Sequence, residues 1–279
     1  MVPALTSSIC LVAADTRTPQ LACLALERCL DAMPFEQTIL FAPHGFSYQG
    51  RYAISVHAVD AFNSVKDYSA FILNELPGHV NSSHCLIVQW DGFISHPNAW
   101  TDQFLSVDYI GAVWPQYKDS HRVGNGGFSL RSAKLMKEVQ QRFGAWQGEA
   151  EDVFIARSLR QVLETDAHCQ FADEALAHQF SAERSGHIES SFGFHGLGHL
   201  PDVLRPEELA VFLEHIPPSA FCSTEGRSFI KSLLRLGRIE EAQKALASRQ
   251  ALQGASLGNA RLWARITLLN ILRKAGLAA

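Results

Sequence analysis

The sequence predicts an α/β fold: a mostly parallel sheet with helices on both faces, and a separate helical segment at the C-terminal end. Three observations point to it. Apolar runs too continuous to be one-faced alternate with helical stretches over about the first 200 residues, which is the pattern of strands buried on both faces. Charged and polar turns follow these runs, as at Asp15-Thr16-Arg17 and Asp91, and in open parallel sheets ligands sit beyond the carboxyl ends of the strands. Beyond about Pro201 the composition changes and helical patterns take over.

Residues 8–14 form a short apolar run that stops at Asp15-Thr16-Arg17, and a helical pattern occupies 19–32, giving strand, loop and helix. Residues 38–42 read as a second strand ending at Pro43-His44-Gly45, and 52–56 as a third. An amphipathic helix over 63–76 is terminated by Pro77-Gly78. Residues 84–89 are a continuous strand that runs into the polar turn Trp90-Asp91-Gly92. After 109–112 a polar loop leads to VGNGGFSLR at 123–131, with a helix from near Ser132. A further helix follows Glu151-Asp152, and the Gly-rich segment 192–198 closes the core. The expected division is a core domain over 1–200 and a helical tail over 201–279. In the tail, Pro206-Glu207-Glu208 opens a helix, 229–242 has the pattern of a tetratricopeptide-type helix pair, and 262–272 supplies another helix. Such a tail offers a surface for a protein partner or for dimerisation.

A chain of 279 residues can bury one sizeable core and carry a smaller appendage. Lys+Arg 24 against Asp+Glu 28 gives a net charge of -4, with no basic run of nucleic-acid type, so nucleic acid is not expected as a partner. The N-terminal stretch has no basic region and runs into Asp15 and Arg17, which reads as a first core strand rather than a signal peptide. No apolar segment reaches the roughly 18 residues of a transmembrane helix. Six scattered cysteines without a CxxC pair imply free thiols in a reducing cytoplasm.

Four residue groups are candidates for chemistry. Asp91 follows a buried strand directly, so a rigid backbone would aim its carboxylate into the cleft as a divalent-metal ligand, while Gly92 permits close approach. The alternative is an Asp that caps a turn. In VGNGGFSLR, three glycines around Asn125 can expose backbone N–H groups to a hydroxylated or phosphorylated ligand, although tight turns use the same residues. Glu151-Asp152 sits at a helix start, where carboxylates favour the dipole for structural reasons or act as a general base toward a hydroxyl. His195, between Phe194 and Gly196, is either a structural ring or a metal ligand.

The strings QWDGF, VGNGGFSLRS, ED and FGFHG, in this order, resemble a family of uncharacterised bacterial and fungal proteins regarded as glycosyltransferases of the GT-A class. The resemblance covers about 9–200 and leaves the tail uncovered. It implies a GT-A-like (Rossmann-like) core that transfers sugar from a nucleoside-diphosphate sugar to a hydroxyl-bearing glycan, lipid-linked or protein acceptor, with Mn²⁺ or Mg²⁺ as cofactor. Under it, Asp91 and His195 are the metal ligands and Glu151 and Asp152 the catalytic acidic pair. Thr16, Arg17, Gln89, Trp90, Asp91 and Gly92 contact the nucleotide-sugar, with Arg17 offering its fork to a phosphate oxygen. Asn125, Gly126, Gly127 and Phe128 form the loop for the acceptor or donor sugar. The sequence departs from the family pattern at Gln89, where the Asp-x-Asp element of GT-A enzymes has its first acid. An amide is a poorer metal ligand than a carboxylate, so Gln89 contacts the nucleoside or leaves the metal site weaker. Two rival readings remain: a nucleotidyltransferase or sugar-nucleotide phosphohydrolase, and a degenerate binding scaffold whose helical tail is the working surface.

Overall fold

The computed structural model describes residues 8–275; residues 1–7, the approach to the first predicted strand, and 276–279 lie outside the described residues. The chain divides into two compact units, one ending at His195 and the other beginning at Gly196.

The first unit is built on a six-stranded sheet. In chain order its elements are β1 (Ile9–Ala14), α1 (Pro19–Ala32), β2 (Gln37–Pro43), β3 (Ser55–Val59), α2 (Val65–Ala70), β4 (His84–Val88), β5 (Gly92–Ile94), β6 (Tyr109–Ile110), β7 (Phe128–Ser132), α3 (Ala133–Gln141), α4 (Glu151–Val153), α5 (Arg160–Thr165), α6 (Glu174–Phe180), β8 (Ser181–Ala182) and β9 (Gly193–His195). The large sheet has the order β3-β2-β1-β4-β7-β6. Pairings from β3 through β4 are parallel, and β7 runs antiparallel to both β4 and β6. β1 is buried along its whole length, which is why its sequence is uninterruptedly apolar. Cys10, Val12, Phe41, Ile87 and Met136 pack on one side of the sheet with Phe71 and Ile72, while a second cluster joins Leu135, Phe154, Leu163 and Tyr109. All six cysteines are free thiols.

The direction of winding reverses between β1 and β4, which are themselves parallel: the chain moves outward through β2 and β3, then returns to the other side of β1. This topological switch point is where open α/β sheets form their ligand crevices.

Two predicted elements differ in position. The third strand lies at 55–59 rather than 52–56, because β2 pairs with it in the register Ile39↔Ser55 to Pro43↔Val59, whereas the Tyr52 hydroxyl is drawn off to Asp31. The predicted helix over 63–76 begins later, with Ser64 as the cap accepting from the Asp67 amide, and widens to a π-turn at Phe71–Glu75 before a 3₁₀ turn at Leu76–His79. Pro77 has no amide hydrogen to continue a helical ladder.

A second, three-stranded sheet, β5-β9-β8, escapes the sequence reading. Its strands are two or three residues long, too short for periodicity to register. It decides the site, because its antiparallel pairing sets Gly92 opposite His195.

The second unit is helical: α7 (Leu200–Val203), α8 (Pro206–His215), α9 (Thr224–Arg235), α10 (Ile239–Gln253) and α11 (Leu257–Lys274). α9 and α10 pack together, and α11 packs on both. Gly237, at φ 71°, makes the turn between α9 and α10, a conformation that costs glycine little. Among the described residues no helix is long and apolar enough to cross a membrane.

Candidate active site

A cleft of about 430 Å³ opens at the carboxyl ends of β1 and β4. Among the residues it gathers are Asp15, Thr16 and Arg17 after β1, Gln89 and Trp90 after β4, Asn125 to Gly127 before β7, and Glu151 with Asp152 at α4. His195 and Glu183 complete one wall.

The β1 loop is fixed by its own side chains. Asp15 accepts from the amides of Arg17 and Thr18 at 2.8 and 2.7 Å and from the Thr18 hydroxyl at 2.8 Å. Thr16 accepts from the Phe62 amide at 2.8 Å, tying this loop to the segment before α2. The Arg17 side chain remains exposed at the cleft.

At the second wall, β8 and β9 pair in parallel, Ser181 with Gly193 and Ala182 with Phe194, so the next step of the register sets Glu183 beside His195. Glu183 Oε1 lies 3.4 Å from His195 Nδ1. On the other side of the ring, Nε2 lies 3.2 Å from Gln89 Oε1 and 3.5 Å from Asp91 Oδ1. Burial opposes a charged ring here, yet Asp91 and Glu183 outweigh it and raise the His195 pKa to about 10. Asp91 is not itself a lining residue and meets the cleft through His195.

Among the described residues no group of three or more His, Cys, Asp or Glu side chains is arranged to hold a metal ion. A cation shared with a substrate could use Asp91 and His195 only by displacing the ring proton that Asp91 and Glu183 stabilise. A carboxylate and a ring nitrogen converge within 3.5 Å, and hard divalent ions commonly take one or two protein ligands with phosphate oxygens filling the remaining positions. Glu183 behind Nδ1 matches the carboxylate that orients a metal-bound imidazole from its far nitrogen. No local motif announces Glu183; only strand register reveals it.

The acidic pair separates into unlike halves. Glu151 accepts from Arg131 Nη2 at 2.9 Å, with the two side chains 5% and 1% exposed, and its amide donates to Ser69 Oγ. It forms a buried ion pair in the lining of the cleft. Asp152 accepts from the Gly126 amide at 3.0 Å and from the Val153 amide at 2.7 Å. Burial, reinforced by the charge of Glu151, raises its pKa to about 7 despite those amides and Arg131.

The expectation for the glycine loop needs correction. Its amides are not open to a ligand: Gly126 N–H goes to Asp152, while Gly127 and Phe128 N–H go to Asn125 Oδ1. Asn125 takes a left-handed φ of 69°, tolerated by Asn better than by most side chains, and its amide nitrogen faces His195 Nδ1 at 3.1 Å. Phe128 and Gly92 do not line the cleft; Phe128 is fully buried in β7 against Phe180 and Phe192, and Gly92 opens β5. The glycines serve close approach instead. A Cβ on Gly127 would come within 2.1 Å of His195 Nε2. Gly127→Ala is therefore expected to displace the ring and destabilise the fold by about 1–3 kcal/mol, measured by urea unfolding of the full chain; an unchanged midpoint would contradict this packing.

Residues 51–195 match the family described as "Protein of unknown function (DUF5672)", and the chain belongs to that family. The matched interval holds QWDGF, VGNGGFSLRS and the acidic pair, and ends at His195. No curated protein matches the sequence. Among solved structures, the chain is similar to a mannosyltransferase from Pyrobaculum calidifontis in complex with GDP-Man and Mn²⁺, at 12% identity and TM-score 0.44, covering 95% of this chain and 80% of that one. It is similar also to a glycosyltransferase involved in glycosylation of the major capsid of PBCV-1, at 10% identity and TM-score 0.41, covering 67% and 93%. A third likeness is to 2-C-methyl-D-erythritol 4-phosphate cytidylyltransferase from Thermus thermophilus, at 10% identity and TM-score 0.39, covering 73% and 95%.

Proposed function

We propose that this protein is a glycosyltransferase that moves a sugar from a nucleoside-diphosphate sugar to a hydroxyl acceptor. The observation that carries the reading is the unlike carboxylate pair. Both line the cleft, but Glu151 is held by Arg131, whereas Asp152 has a pKa of about 7, a strength suited to taking a proton from an attacking hydroxyl at neutral pH. The ordered motifs and the position of the cleft at the switch point of the sheet support the same reading.

In this assignment Thr16 and Arg17 sit at the donor's nucleotide end, the exposed guanidinium of Arg17 pairing with a phosphate oxygen. Gln89 and Trp90 line the floor between nucleotide and sugar. Asp91 and His195 would hold a divalent cation, Mn²⁺ or Mg²⁺, which when bound neutralises charge on the departing diphosphate. Asn125 and Gly126 border the sugar, and Asp152 deprotonates the acceptor. One base suffices for inversion at the anomeric carbon, the outcome this arrangement favours. The acceptor is a hydroxyl-bearing glycan, lipid-linked or protein group, in keeping with polysaccharide biosynthesis. Six free thiols accord with a reducing cytoplasm.

The test has two arms. Mass spectrometry of reactions with a panel of nucleoside-diphosphate sugars is expected to show sugar moved to an acceptor; nucleotide attached to a phosphate, or phosphate released without transfer, would replace the reading by the nucleotidyltransferase or phosphohydrolase alternative. Calorimetry with nucleoside diphosphates and Mn²⁺ is expected to show binding that Asp91→Ala and His195→Ala abolish with the fold retained. Glu183→Gln should weaken Mn²⁺ affinity about 10–100-fold. Equal affinity in all four proteins would remove the cation from the assignment, and absence of any nucleotide binding would favour a scaffold.

A further inference from the structure

We propose that the outward face of α11 is a docking surface for anionic lipid headgroups, on which the protein lies without crossing the bilayer. The helix buries Asn259, Leu262 and Ile266 toward its own unit. Its other side is apolar but unburied: Leu257, Trp263, Leu268 and Ile271 are 82%, 57%, 55% and 58% exposed. With 3.6 residues per turn, Trp263, Thr267 and Ile271 fall in one row and the exposed Ala260, Ala264 and Leu268 in the next. The result is a stripe of mostly apolar, exposed side chains along one side of the helix.

Charge selects the occupant. No Asp or Glu follows Glu241, whereas Lys244, Arg249, Arg261, Arg265, Arg273 and Lys274 do, in a chain whose net charge is -4. Positive charge is thus concentrated in the last segment, an asymmetry that points to an anionic partner. Arg249 is occupied within the unit by Asn259 and the carbonyls of Phe221 and Ser223. Arg261 and Arg265 are exposed and one turn apart, along the border of the stripe beside Leu268. An apolar face containing Trp and edged by arginines is the composition of a helix lying in the membrane interface, its apolar side among acyl chains and its cations among phosphates. A second copy of the chain suits the face less well, because apposed α11 helices would bring arginine rows together with no acid on the helix to offset them.

Co-sedimentation of the full chain with phosphatidylcholine–phosphatidylglycerol vesicles, and with phosphatidylcholine vesicles alone, tests this. Binding is expected to the anionic vesicles, to weaken with salt and to be much poorer to phosphatidylcholine. Arg261→Gln/Arg265→Gln should weaken binding about 30-fold, equivalent to about 2 kcal/mol for two cations at an anionic surface. Trp263→Glu/Ile271→Glu should abolish it with circular dichroism unchanged; should that variant misfold, the exposed arginine pair decides. Failure of the wild type to sediment with anionic vesicles, or arginine-pair binding equal to wild type, would overturn the proposal. So would sedimentation equilibrium showing a dimer that the Trp263→Glu/Ile271→Glu variant dissociates, which would assign the face to a second copy.

Discussion

Asp152→Asn is expected to lower turnover by about 10²–10⁴-fold, the range for loss of a general base, while nucleotide affinity stays near wild type. In the wild type, kcat/KM should reach its plateau above about 7 and fall below it, because the carboxyl raised to about 7 is a base only when deprotonated. The same shift has a stability signature of known sign. A carboxyl whose pKa is raised on folding leaves the fold fully stable below the unfolded value, and stability is lost as pH rises toward the folded value. Asn carries no charge to bury, so the variant should be less active yet more stable than wild type at neutral pH and above. Asp152→Asn with full activity, or Glu151→Gln with the larger loss in turnover at unchanged stability, would exchange the roles of the pair.

Arg131→Met is expected to destabilise the protein by about 3–5 kcal/mol, because it leaves Glu151 buried without its counter-charge. Arg131 also donates through Nε to Ser129 Oγ and lies over the Tyr109 ring at 5.5 Å, so the loss extends beyond one ion pair. Replacing both partners, as Arg131→Met/Glu151→Leu, should recover much of the stability, since apolar groups of similar volume need no counter-ion. Urea unfolding of the three proteins measures this directly. A single variant within about 1 kcal/mol of wild type would show that the pair is screened by solvent rather than buried.

The strands that frame the cleft were legible because burial on both faces makes a strand uniformly apolar, as in β1 and β4, and because the residues ending them are polar and abrupt. α1 was readable at both ends for a related reason: Pro19 opens its first turn, and its inward positions bury Leu21, Cys23, Ala25, Leu26 and Cys29. The sequence also marked Thr16, Arg17, Gln89, Trp90, Asn125, Gly126, Glu151, Asp152 and His195, all of which line one cleft.

Other features depended on residues distant in the chain. Which of Glu151 and Asp152 is engaged in an ion pair was open in the sequence, since both stand at a helix start; Arg131, brought up on β7, takes Glu151, while Asp152 accepts from the Gly126 and Val153 amides. The approach of Gly92 to His195 rests on strands two or three residues long, whose pairing is fixed by packing rather than by pattern. Glu183 enters only because β8 and β9 share a register. The basic end of the chain could be counted from the sequence, but which of its apolar residues face outward could not, because Leu262 and Trp263 are adjacent in a helix and only the packing of α9 and α10 buries one and exposes the other. Sequence by itself determined the type of the longer, strongly patterned segments such as β1, β4 and α1, since local burial and backbone preference act over a few residues. Tertiary structure decided which side chains meet, since register and charge pairing act between segments that the chain places far apart.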